Sequence, residues 1–190
     1  MQRPQAHEHR DYFLRYIQLV PEGEIIQLTK ANTEITFKQF MTFEGVQENY
    51  RYAPEKWTVK EMLLHIVDTE RVMGYRALVA ARGDDKSPLP SVDENLYAAN
   101  ADVSSRSLEN ILEEFKAVRE SNLKFFESVS EEASKFIANG PVSARAIAYI
   151  LLGHTTVSYT HLDVYKRQEI LPMIWFSKIL MDAMVPSTRP

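Results

Sequence analysis

Apolar positions recur at helical spacing most clearly over residues 57–78, WTVKEMLLHIVDTERVMGYRAL, where Val59, Met62, Leu63, Ile66, Met73 and Ala77 form one stripe. Thr58 and Glu61 stand at capping-box spacing just before it, so hydroxyl and carboxylate can each satisfy an unpaired backbone N–H and start the helix there. A less regular stripe, Ile25, Ile26, Leu28, Ile35, Phe37, Phe40 and Met41, predicts an earlier helix over residues 22–45. Pro54 marks residues 49–56 as a connection, because it biases Ala53 away from helical geometry. Leu108, Ile111, Leu112, Phe115, Val118, Phe125 and Phe126 keep the period of a third helix, capped by Ser107 and running to about Val129. Its Glu113, Glu114, Lys116 and Arg119 read as a solvated face. A short turn begins near Ser130 and ends at Asn139-Gly140-Pro141, and Ser143 opens a fourth helix that carries His154 near its far end.

Residues 81–106 hold two prolines and no sustained period, the pattern of a long crossover or a functional loop. At the start, residues 1–21 begin as a solvated arm with His7 and His9, whose later residues Tyr12, Phe13, Tyr16 and Ile17 pack on the body. No strand signal is present. Together these elements predict an all-α fold, a four-helix bundle with a long crossover after its second helix.

Composition narrows the partners rather than the fold. A net charge of -4 without a Lys/Arg cluster disfavours a nucleic-acid binder. The chain has no cysteine, which removes thiolate metal sites and a cysteine nucleophile and suits a cytoplasmic protein. No signal peptide is read, and the most apolar late stretch, residues 170–184, is broken by Lys178 and Asp182, so no membrane partner is expected.

His65 lies beside the apolar stripe of the second helix and His154 on the fourth. Each is either a hydrogen-bonded core residue or a metal ligand, and spacing alone does not choose between them. Histidine is the strong ligand left to a cysteine-free chain, and facing helices of a bundle are a natural place for it.

Three separated strings, YRYAPEKWTVKEMLLHIVDTERVMGYRAL, PLPSVDENLY and PVSARAIAYILLGHT, resemble the DinB/YfiT-like superfamily in the same order. The resemblance covers roughly residues 1–156 as a single domain. It implies an up-down-down-up four-helix bundle, often a homodimer, with zinc or nickel held by three histidines. One stands in the tryptophan-led helix and two in a G-H-x-x-x-H pattern on the fourth. By position the first two are His65 and His154, and the third place is held by Ser158. Two histidines predict weak metal occupancy.

The stretch VSYTHLDVYKRQ, residues 157–168, back-translates into a DNA inverted repeat that resembles two head-to-head transposase adapters from a sequencing library. Residues 157–190 are therefore read as a non-native, chimeric tail continuing the fourth helix, with Ile174, Trp175, Ile179, Leu180 and Met184 available as a stripe. His161, seven residues after His154, is about 10 Å along the axis and cannot share an ion with it in an unbroken helix.

The resemblance implies a metal-dependent thiol S-transferase, taking a low-molecular-weight thiol such as bacillithiol or mycothiol and a small electrophile. The alternative is a non-enzymatic metal-binding or stress-linked bundle. For the first reading, Asp68 and Glu70 are candidates to orient a ligand imidazole, Arg71 and Arg76 to receive a carboxylate of the thiol, and Asp93, Glu94 and Asn95 to line the mouth of the site.

Overall fold

The Thr58 hydroxyl accepts from the Glu61 N–H at 3.1 Å while the Glu61 carboxylate accepts from the Thr58 N–H at 2.6 Å, closing the expected capping box. Ser107 caps the later helix in the same manner, accepting from Asn110 N–H at 3.1 Å. In the computed structural model, residues 1–167 are described apart from Tyr52 and Pro90, with the side chains of Val46 and residues 159–167 excepted. The helices are α1 (Asp11–Ile17), α2 (Ile25–Met41), α3 (Val59–Ala81), α4 (Glu94–Asn100), α5 (Leu108–Ser128) and α6 (Ala144–Arg167).

Helices α2, α3, α5 and α6 make the bundle. α3 packs on α5 and α6, α2 packs on the same two helices, and α2 and α3 stand diagonally. Contacts give the directions. Lys60 reaches Arg106 and Glu70 reaches Asn122, so α3 and α5 run parallel. Lys30 meets Glu127 while Glu34 meets Lys116, so α2 and α5 are antiparallel. His65 meets His154 near the start of α3 and midway along α6, while Ile150, earlier in α6, and Val142, just before that helix, share a cleft with Met73 and Arg76 further along α3. That is the up-down-down-up arrangement, and joining parallel α3 and α5 is what demands the long crossover. Two apolar clusters fill the bundle, one around Leu63, Ile66, Leu112 and Phe115 and one around Ala77, Ile147 and Leu151.

Three expectations are corrected. The crossover is not structureless: Asp93 accepts from the N–H groups of Asn95 and Leu96 at 3.0 Å and starts α4, which packs on α3. A two-stranded antiparallel hairpin, β1 (Ile137–Ala138) with β2 (Val142–Ser143), precedes α6; Gly140 has φ of 139°, a backbone state most side chains avoid, and turns the chain between the strands. The opening segment is ordered, because Glu8 is 1% exposed and bonded to Arg145 and Ser143. That anchor places α1 against α6, where the backbones meet so closely that a Cβ added to Gly153 would overlap the Tyr16 carbonyl.

α6 stays helical across residues 157–167, so position 161 keeps the two-turn offset from His154. The proposed stripe at Ile174, Trp175, Ile179, Leu180 and Met184 lies outside the described residues. No helix among the described residues is long and apolar enough to cross a membrane.

Gly153→Ala is expected to lower thermal stability by about 1–3 kcal/mol, by forcing α1 away from α6; an unchanged melting temperature would show the approach to be loose. The Glu8 carboxyl falls to about 2 in the fold: burial opposes its charge, but bonds from Arg145, Gln5 and Ser143 outweigh that. A carboxyl depressed below its unfolded value of 4.5 stabilises the fold fully above that pH, and its contribution disappears as pH falls toward 2. Glu8→Gln should therefore cost about 3 kcal/mol at neutral pH and little near pH 2, read as a flatter acid limb in denaturant titrations.

Candidate metal centre

His65 follows the capping box by one turn on α3 and faces α6. His154 comes immediately after Gly153, whose lack of a side chain admits α1 beside it. The two Nε2 atoms lie 3.2 Å apart, with ring planes at 62°. Trp57 leans on His65 with ring centroids 4.7 Å apart, and Tyr16 from α1 presents its ring edge-on to His154 at 5.5 Å. Burial pushes the pKa of both imidazoles down. For His154 it falls to about 3, with the charges of His65, Arg119 and Arg15 adding to burial. Both rings are neutral at ordinary pH, the form in which an imidazole offers a lone pair.

This geometry fits two-point chelation. Two imidazole nitrogens at about 2.0–2.1 Å from one ion and 3.2 Å apart subtend roughly 100° at the metal, close to tetrahedral. The same distance also suits a hydrogen bond from one neutral ring to the other. No group of three His, Asp or Glu side chains able to hold an ion occurs among the described residues. Ser158, at the next turn of α6, is buried beside the pair and donates its hydroxyl to the His154 carbonyl at 3.2 Å.

Two clefts share Tyr16, His65, Glu94 and His154. The larger, about 360 Å³, runs along α3 from Glu61 to Arg76 between α1, α4 and α6; the second, about 310 Å³, opens past Trp57, Asn95 and Ser158. Asp68, Arg76 and Glu94 line the larger cleft and Asn95 the smaller. Among the described residues no hydrogen bond joins Asp68 to either imidazole. Arg71 is turned outward and pairs with Glu114 at 2.5 Å, and Asp93 is used as the cap of α4.

Glu70 is turned away from both histidines into the bundle. Its carboxylate is 2.7 Å from Arg119 Nη2 and accepts from Asn122 at 2.7 Å, and both ionic side chains are 1% exposed. Burial pushes the Glu70 carboxyl up, opposed by Arg119 and Asn122. Arg119, read from sequence as solvated, is fully buried and also donates to Thr155 Oγ1 at 2.6 Å, the residue next to His154. The signal was present: Arg119 follows Phe115 by four and Leu112 by seven, and Glu70 follows Ile66 by four, so both charges fall on apolar stripes. Tyr16 was expected to pack on the body and does, but neither its place beside His154 nor that of Arg10 in the cleft had a local signal, since the arm's docking brings them there.

The model of the DinB superfamily matches residues 28–157. The chain belongs to the DinB superfamily. Among solved structures it is similar to YfiT from Bacillus subtilis, described as a probable metal-dependent hydrolase with an unusual four-helix bundle topology, at 13% identity and a TM-score of 0.64 over 88% of this chain and 93% of that one. At that identity the likeness establishes the fold, and the DinB four-helix bundle is the fold seen here. No curated protein matches the chain.

Arg119→Met should cost about 3–5 kcal/mol by stranding the Glu70 carboxyl, whereas the double variant with Glu70→Gln should recover part of that loss. A double-mutant cycle in urea measures it, and additive losses would mean the two side chains act independently.

Proposed function

We propose that this DinB-superfamily chain is a divalent-metal-binding protein related to the bacillithiol- or mycothiol-type thiol S-transferases, with zinc or nickel held by His65 and His154 in a site lacking its third histidine. The observation that carries this reading is the 3.2 Å separation of two neutral imidazole nitrogens at the junction of two clefts. A divalent ion bound there would lower the pKa of a coordinated thiol or water and so supply a nucleophile at neutral pH. The relation to a probable metal-dependent hydrolase supports metal chemistry of this general kind.

The chain's own residues do the rest. Tyr16 and Trp57 hold the two rings by edge and face contact and narrow the access of water to them. Glu94 faces His65 and adds negative charge beside the pair, favouring a cation. The two clefts provide separate approaches, so a thiol and an electrophile can reach the pair without displacing one another. Assembly as a homodimer, a cytoplasmic setting and a non-native origin for residues 157–190 belong to the same proposal.

A second reading has its own support. With two candidate ligands among the described residues, and the two Nε2 atoms able to satisfy each other, the pair serves equally as a structural hydrogen bond in a bundle without enzymatic activity.

Ser158 lies four residues after His154 on the same helical face and lines the same cleft, so a histidine there would project toward the pair. Elemental analysis should find about one zinc or nickel per chain in Ser158→His and much less in the parent, with thiol transfer gained alongside. Equal, negligible metal in both would leave the structural reading.

A further inference from the structure

The larger cleft is electrically polarised along α3. At one end stand Glu61 and Asp68, a turn either side of His65, with Glu94 opposite. At the other stand two guanidiniums, Arg76 of α3 and Arg10, which enters from the segment before α1. Arg10 is exposed, and its guanidinium forms no ion pair or hydrogen bond among the described residues. The pKa of Arg76 is lowered by burial and then by the charge of Arg10, so the two cations are close enough to repel. Between the ends the walls are apolar, with Phe13, Val72, Leu89 and Ile150.

We propose that this cleft binds an elongated carboxylate-bearing ligand, its anionic head on Arg10 and Arg76, its apolar stem along Val72 and Ile150, and its far end at the His65–His154 pair. An anion relieves the repulsion between the two guanidiniums, and a guanidinium fork matches a carboxylate in geometry as well as charge. Glu61 is already paired with Arg51, but Asp68 and Glu94 at the acidic end disfavour the same head there, which sets the ligand's direction. His65 and Arg76 are eleven residues apart, about 16 Å of helix rise; both side chains lean toward the N-terminus, the longer arginine arm further, and a contact distance is taken up at each end, so a stem of roughly 10 Å bridges the two. That span suits an eight-carbon stem.

The inference rests on the cleft being the functional site but not on the metal. Its test is therefore made on the full chain after treatment with a chelator, using octanoate and 1-octanol as probes in titration calorimetry. Octanoate should bind about tenfold more tightly than octanol, and Arg76→Met should abolish that preference while leaving octanol affinity unchanged. Arg10→Met, at an exposed position that does not endanger folding, should reduce it. Octanoate binding no tighter than octanol, or a preference that survives both substitutions, would overturn the proposal. Metal content measured on Arg76→Met in the Ser158→His background separates the two readings: it should match Ser158→His alone, because the arginine acts on the ligand's head and not on the ion.

Discussion

The buried ion pair between Glu70 and Arg119 is the constraint on which the arrangement of the site depends. It joins α3 to α5, and the same arginine reaches Thr155 on α6, beside His154. An unpaired charge at either position would carry a heavy desolvation penalty, so helix registers that separate the two are strongly disfavoured. Since His65 lies five residues before Glu70 and His154 one before Thr155, the register that satisfies this pair also brings the imidazoles together. Arg119 has a second effect, because its positive charge beside His154 helps keep that ring neutral.

A similar logic ties the opening segment to the bundle. Glu8 is buried against Arg145 and Ser143 at the beginning of α6, and this fixes where α1 begins. Gly153 then permits α1 to lie close against α6, which puts Tyr16 against His154 and Arg10 at the far end of the cleft. Charge burial at the start of α6 thus determines part of the site near its middle. The crossover contributes in the same way: capped by Asp93, α4 packs on α3 and closes the side of the cleft that a structureless loop would leave open.

The four bundle helices were legible because their stripes and caps are local. Thr58 with Glu61, and Ser107 with Asn110, are decided within one turn, and the apolar period of α3 and α5 follows directly from burying one face. The pairing of His65 with His154 was legible only through resemblance, since spacing within either helix says nothing of its neighbour. Arg119 went the other way: counting charges placed it in solvent, although its position in the stripe pointed inward. The short hairpin was hidden because two-residue strands have no periodicity to read, and α4 because seven residues among prolines and turn formers offer too little pattern.

By itself the sequence determined an all-α chain, its bundle helices, the absence of cysteine chemistry and a histidine on each of two helices. That Ser158 stands at the position of a third ligand is what the resemblance implies. Only the tertiary structure decided that the two imidazoles meet, that Glu70 belongs to Arg119 rather than to a histidine, that Arg71 faces outward while Arg76 lines the cleft, and that the first residues form part of the wall. The physical reason is that helix formation is set by neighbours three and four residues apart. Which faces meet is set by burial and charge pairing between segments dozens of residues apart, and no local pattern encodes that choice.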